Sequence, residues 1–122
     1  MAISVLRLGS PRGKDEGPRL GTVRRPPRGV RKQDYAKLDY YDVWLPELAP
    51  SAKLIQTAPA DWKRFSKRYR LEMREREHLL EALARLSHGS NFAVGCYCED
   101  EKQCHRSILR QLLVERGARI AI

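Results

Sequence analysis

Apolar positions alternate with others over Ala2–Leu8, Ile3 and Val5 against Ser4 and Leu6, until Gly9, Ser10 and Pro11 interrupt them. A period of two that ends in turn formers predicts a short strand. The segment 11–19 holds two Gly, two Pro and five charges and predicts an exposed loop, with a second strand over Leu20–Arg25. Pro26 and Pro27 stop that strand, because neither supplies a backbone donor, and the Pro-Pro-Arg-Gly stretch predicts a turn. Tyr40–Leu48 is apolar and aromatic and predicts a buried segment with one helical turn before Pro50 and Ser51.

From Asp61 the period changes. Trp62, Phe65, Tyr69 and Met73 recur at three and four residues with Lys63, Arg64, Lys67, Arg68 and Arg70 between them, the stripe of an amphipathic helix. Leu79, Leu80, Leu83 and Leu86 continue it to about Ser87 past a break near Arg74–Glu77, so two helices or one bent helix fit, and the aromatic stripe is expected to face the core. Asn91–Cys98 is a short apolar run typical of a strand covered on both faces. Cys104–Glu115 carries Ile108, Leu109, Leu112 and Leu113 at helical spacing, and Ala118–Ile122 reads as a terminal edge strand. Strand, loop, helix and strand make a βαβ unit, and the order of elements predicts an α/β fold: a single three-layer domain over residues 1–122 with a short, mainly parallel sheet flanked by helices.

Length and composition agree with one folded core. The chain of 122 residues suits one domain, and 42% hydrophobic with 32% charged residues is far from a disordered composition. No stretch approaches the roughly 20 apolar residues of a membrane span, and the first ten residues lack a secretory pattern. Three cysteines within nine positions do not read as a disulfide framework, so reduced thiols and a cytoplasmic setting are expected.

Charge narrows the partners. The net charge of +9 is concentrated in residues 1–32, where nine basic side chains face only Asp15 and Glu16. Such a field favours an anionic partner, from a nucleotide to nucleic acid. Arg24, Arg25 and Arg28, beside the Pro-Pro turn, are placed to meet it.

The chemistry concentrates in Cys96–Arg106, where a strand hands over to a helix, the place where open α/β sheets bind ligands. Unpaired N–H groups at the helix start and the fork of Arg106 suit an anion, with Glu99, Asp100 and Glu101 opposing it if they turn inward or pair with Arg106. Cys104, at the helix start beside His105 and Arg106, has the surroundings of an activated thiol, with His105 as base. The spacing of Cys98, Cys104 and Arg106 is not the C-x5-R of thiol phosphatases. One residue between Cys96 and Cys98, and a helical angle of ~100° between Cys104 and His105, argue against zinc. No metal and no cofactor are expected, and His78 and His88 read as surface residues.

Four segments carry a resemblance: Pro27-Arg28-Gly29-Val30, Trp44 to Ser51 (Trp-Leu-Pro-Glu-Leu-Ala-Pro-Ser), Trp62-Lys63-Arg64-Phe65 with Arg68-Tyr69, and Cys96 with Cys104-His105-Arg106. On these the chain resembles the bacterial domain of unknown function 488 family, in its YeaO-like branch. The resemblance implies a compact α/β fold with a central sheet and no settled activity, and it places the family's recurrent polar residues on Arg28, Cys96, Cys104, His105 and Arg106. This chain has Val23-Arg24-Arg25-Pro26 where that branch commonly has Asp-Arg-x-Trp.

The expected function is binding of a phosphate-bearing ligand, nucleotide or nucleic acid, by Arg24, Arg28, Cys96 and Arg106. A thiol enzyme with Cys104 as nucleophile and His105 as base is the alternative, and a protein interaction module is the third.

Overall fold

A computed structural model describes residues 1–56 and 61–121. Four parallel strands form one sheet in the order β1 (Ile3–Arg7), β4 (Phe92–Cys96), β2 (Arg19–Gly21), β3 (Val43–Trp44). Central β4, Phe-Ala-Val-Gly-Cys, is buried at every position, as expected of a strand paired on both edges and covered on both faces. Parallel register brings the carboxyl ends together: Arg7 lies beside Cys96, and Gly21 beside Gly95 and Trp44.

The helices are α1 (Ala52–Ile55), α2 (Trp62–Met73), α3 (Glu77–Leu86) and α4 (His105–Glu115). A 3₁₀ turn, Arg74–Arg76, marks the expected break between α2 and α3. Phe65, Tyr69 and Met73 are buried with Leu80, Leu83, Ile108, Leu109 and Leu113 against Ile3, Phe92 and Val94, while Trp62 is half-buried at the margin of that core. The opposite face is covered by the connections around β2. Gly95 has no side chain there because a Cβ would stand 2.6 Å from the Leu6 carbonyl oxygen.

Three expectations are corrected. The second strand ends at Gly21, because Thr22 turns its amide and hydroxyl onto the Gly95 carbonyl and Arg24 leaves the sheet to bind other carbonyls. The 40–48 segment buries Tyr41 and Leu48 and has its 3₁₀ turn at Pro46–Leu48, but Val43 and Trp44 form an exposed edge strand, with the Trp44 indole N–H on the Val23 carbonyl at 2.8 Å. The chain end makes one parallel bridge, Ile120 to Ile3, instead of a strand, and Ile122 lies outside the described residues.

Candidate active site: a thiol cluster at the carboxyl edge of the sheet

β4 delivers Cys96, buried, to the carboxyl edge. The chain then makes a short excursion in which Tyr97 donates its hydroxyl to the Arg25 carbonyl and Cys98 is exposed. Asp100 caps the 3₁₀ turn Glu101–Gln103, accepting from the Lys102 amide, and returns the chain to α4. Cys104 precedes the helix in extended conformation, φ −131° and ψ 147°. Its side chain therefore does not follow helical spacing, and Cys104 and His105 converge where a helix would separate them by ~100°. Cys104 Sγ lies 2.7 Å from Cys96 Sγ and 3.7 Å from His105 Nδ1.

The buried ring of His105 is fixed from its far side. Nε2 lies 2.7 Å from the Thr22 carbonyl oxygen, and a carbonyl only accepts, so Nε2 carries the proton and Nδ1 presents a lone pair to the sulfurs. Burial outweighs that hydrogen bond and lowers the imidazole from 6.5 to about 4, which keeps it neutral at pH 7.

Arg106, also buried, has no hydrogen-bond partner for Nε and Nη1 among the described residues. The nearby acids are engaged elsewhere: Glu99 with Arg7 at 3.4 Å, Glu101 with Arg110 at 2.6 Å, Asp100 in its own turn. A buried guanidinium without a carboxylate requires another source of negative charge. Its charge acts on the Cys98 sulfur, and the three thiols hold their protons unequally. Donation from Cys104 and Cys96, aided by the charge of Arg106, holds Cys98 well below the ordinary thiol range. Cys104 is raised, because hydrogen bonding with Cys96 and Cys98 favours its protonated form and because it is buried. Cys96 is favoured as thiolate by Cys104, but donation to Cys98 and burial prevail and push it up to about 11. These effects favour the thiolate form at the exposed Cys98 and the protonated form at the buried Cys96 and Cys104.

Among the described residues, Cys96, Cys104 and His105 are the ones able to approach a metal ion together, their ligand atoms all within 4.8 Å. Two thiolates ~2.3 Å from a tetrahedral zinc stand about 3.8 Å apart, so Cys96 and Cys104, at 2.7 Å, would have to separate by about 1 Å to hold one. In front of the cluster opens a cavity of about 420 Å³, walled by Val23, Pro50, Ile55 and Phe65 and floored by the cysteines and His105.

Arg24 and Arg28 are placed differently. Arg24 reaches this cavity but donates to the carbonyls of Pro46, Ala49 and Pro50, which ties β2 to the segment before α1. Arg28 is exposed in a second cleft, on the side shared by Arg7, Ser10 and Tyr40, so the two turns do not place Arg28 beside the cysteines. Cys98 was outside the expected site residues. The signal for it is its place two residues past the strand end, where a side chain leaves the sheet while staying near Cys96.

A family model described as the active DUF488-N3 subclade matches residues 3–117. No curated protein and no solved structure matches the chain.

Proposed function

The chain belongs to the active DUF488-N3 subclade of the domain of unknown function 488 family, and from its thiol cluster we propose that it is a cysteine-dependent enzyme with Cys98 as nucleophile. The observation that carries this reading is Arg106: a buried guanidinium with no acidic partner among the described residues, whose charge acts on the Cys98 sulfur, favours a resident thiolate. Cys98 is the exposed sulfur and opens on the cavity, whereas Cys104, the nucleophile expected from sequence, is buried and holds its proton.

In the proposed step the Cys98 thiolate attacks an electrophilic atom of a bound substrate, forming a bond to sulfur while the leaving group departs with its electron pair. Water or a second acceptor then displaces the sulfur and restores the thiolate. Cys96 and Cys104 supply hydrogens to the thiolate, and neutral His105 positions Cys104. The description of the subclade as active accords with a working site. A phosphate-bearing ligand, the other function expected from the sequence, is favoured by one observation: Glu99, Asp100 and Glu101 all turn to other partners, leaving the start of α4 without an opposing carboxylate.

Iodoacetamide labelling resolved by mass spectrometry between pH 5 and 9 tests the thiolate. Cys98 is expected to react at a nearly constant rate down to pH 6, with Cys96 and Cys104 protected in the folded chain. Arg106→Met is expected to move the Cys98 profile up by at least ~1 pH unit. A Cys98 profile with an ordinary thiol midpoint near ~8.5, or a purified chain holding one equivalent of zinc, would overturn the proposal.

A further inference from the structure

On the far side of Tyr97 lies a second and larger opening, a cleft of about 1040 Å³ whose walls include Arg7, Ser10, Arg25, Arg28, Tyr40 and Tyr97. Among the described residues its lining holds three guanidinium groups and no carboxylate. Arg25 and Arg28 form no ion pair or side-chain hydrogen bond among the described residues. Arg7 meets Glu99 at 3.4 Å at an exposed rim, a pair that contributes little to stability and that a ligand displaces readily. Both unpaired arginines stand on the turn stiffened by Pro26 and Pro27, with Gly29 at φ +70°, so little order has to be gained on binding.

The aromatic pair adds a second chemistry. The rings of Tyr40 and Tyr97 are 6.2 Å apart and inclined by 76°, forming a corner that offers a flat face beside the arginines. Cationic forks for phosphate next to an aromatic platform are the parts used to hold a phosphorylated base. The volume reaches the upper end of the ~300–1,000 Å³ of small-ligand sites, enough for more than a bare phosphate. Tyr97 and Arg25 belong to both openings, which makes the basic cleft and the thiol cavity neighbours across one side chain.

We propose that this cleft binds a nucleotide unit, its phosphate on Arg25 and Arg28 and its base against the tyrosine corner, with the group beyond the sugar directed over Tyr97 toward Cys98. The last clause rests on the thiol reading; the binding does not. The unit is either a free nucleotide or one residue of a single strand.

Fluorescence anisotropy with a labelled octathymidylate, at 50 and 200 mM salt, tests the cleft, with unlabelled thymidine monophosphate and inorganic phosphate as competitors. Arg25→Ala/Arg28→Ala is expected to weaken binding ~tenfold at the lower salt and to reduce the slope of log affinity against log salt by about 1.4, the share of two strand contacts. Lys63→Ala/Lys67→Ala removes the same charge from the exposed face of α2 and is expected to bind within about twofold of the parent. Cys98→Ser is expected to bind as well as the parent, so loss of thiol chemistry and loss of the cleft read out separately. Displacement by the monophosphate identifies a free nucleotide as the source, and resistance to it identifies a strand. An unbound parent, a double arginine variant that binds like the parent, an equal loss in the lysine pair, or displacement by phosphate as effective as by the nucleotide each overturns the proposal. Circular dichroism of each variant confirms that the fold is retained.

Discussion

At the scale of single residues the site is governed by where protons are excluded. His105 has its folded value lowered to about 4 from 6.5. Between those values the unfolded chain binds a proton that the native chain refuses, so this residue's contribution is fully present above pH 6.5 and is lost as pH falls toward 4. Two and a half units correspond to about 3 kcal/mol. His105→Gln keeps a donor for the Thr22 carbonyl but does not titrate, so in urea unfolding it is expected to lose about 2 kcal/mol less than the parent between pH 7 and 4.5. Equal losses would mean that the buried ring is not what the acid limb reports. Arg106 was legible in the sequence as a site residue, but its lack of an acidic partner was not: whether a guanidinium meets Glu99 or Glu101 is decided by turns several residues away.

At the scale of elements, α2 joins the core to the cavity. Phe65 stacks on Trp62 at 5.2 Å and on Tyr69 at 6.3 Å, and its ring is also a wall of the thiol cavity. Tyr69 in turn donates its hydroxyl to the Leu48 carbonyl at 2.6 Å and sets its ring 5.5 Å from that of His105. Phe65→Ala is therefore expected to cost about 3 to 5 kcal/mol in denaturant unfolding, the range for truncating a buried aromatic. A loss below ~1 kcal/mol would show that the ring serves the cavity and not the core. The period of this helix and its break at Arg74 were readable because burial of one face imposes spacing on the chain itself. The two-residue β3 was not, because Val43 and Trp44 are strand only through pairing with Leu20 and Gly21, which no local pattern records. The extended backbone of Cys104 escaped for a related reason. One residue before a helix the spacing rule no longer applies, and that residue closes the thiol cluster.

At the scale of the whole molecule, counting charges in the first 32 residues overstates the free field. Arg12 is committed to Asp39 and Asp42, Arg24 to carbonyls, Arg31 to Asp34, and Arg19 to the interior. Arg19 is fully buried. It pairs with Glu16 at 2.7 Å and donates to the carbonyls of Ser10, Pro11 and Asp39, so one side chain clamps the 8–16 loop and the 39–42 segment onto β2. Those segments also carry Ser10 and Tyr40 of the basic cleft, which makes Arg19 a support for the cleft without touching a ligand. Arg19→Met is expected to cost about 3 to 5 kcal/mol, because it strands the Glu16 carboxylate and three carbonyls away from water. Arg19→Met/Glu16→Leu removes the stranded charge but leaves the carbonyls without a donor, so it is expected to recover only part of that loss. Hydrogen exchange should locate the damage, with faster exchange at Gly9 and Tyr40, whose amides bond to the Asp39 and Tyr35 carbonyls, and little change in α3. A single variant within ~1 kcal/mol of the parent, or a double variant that restores it fully, would mean that the loops are held on the sheet by their tyrosines and not by this arginine.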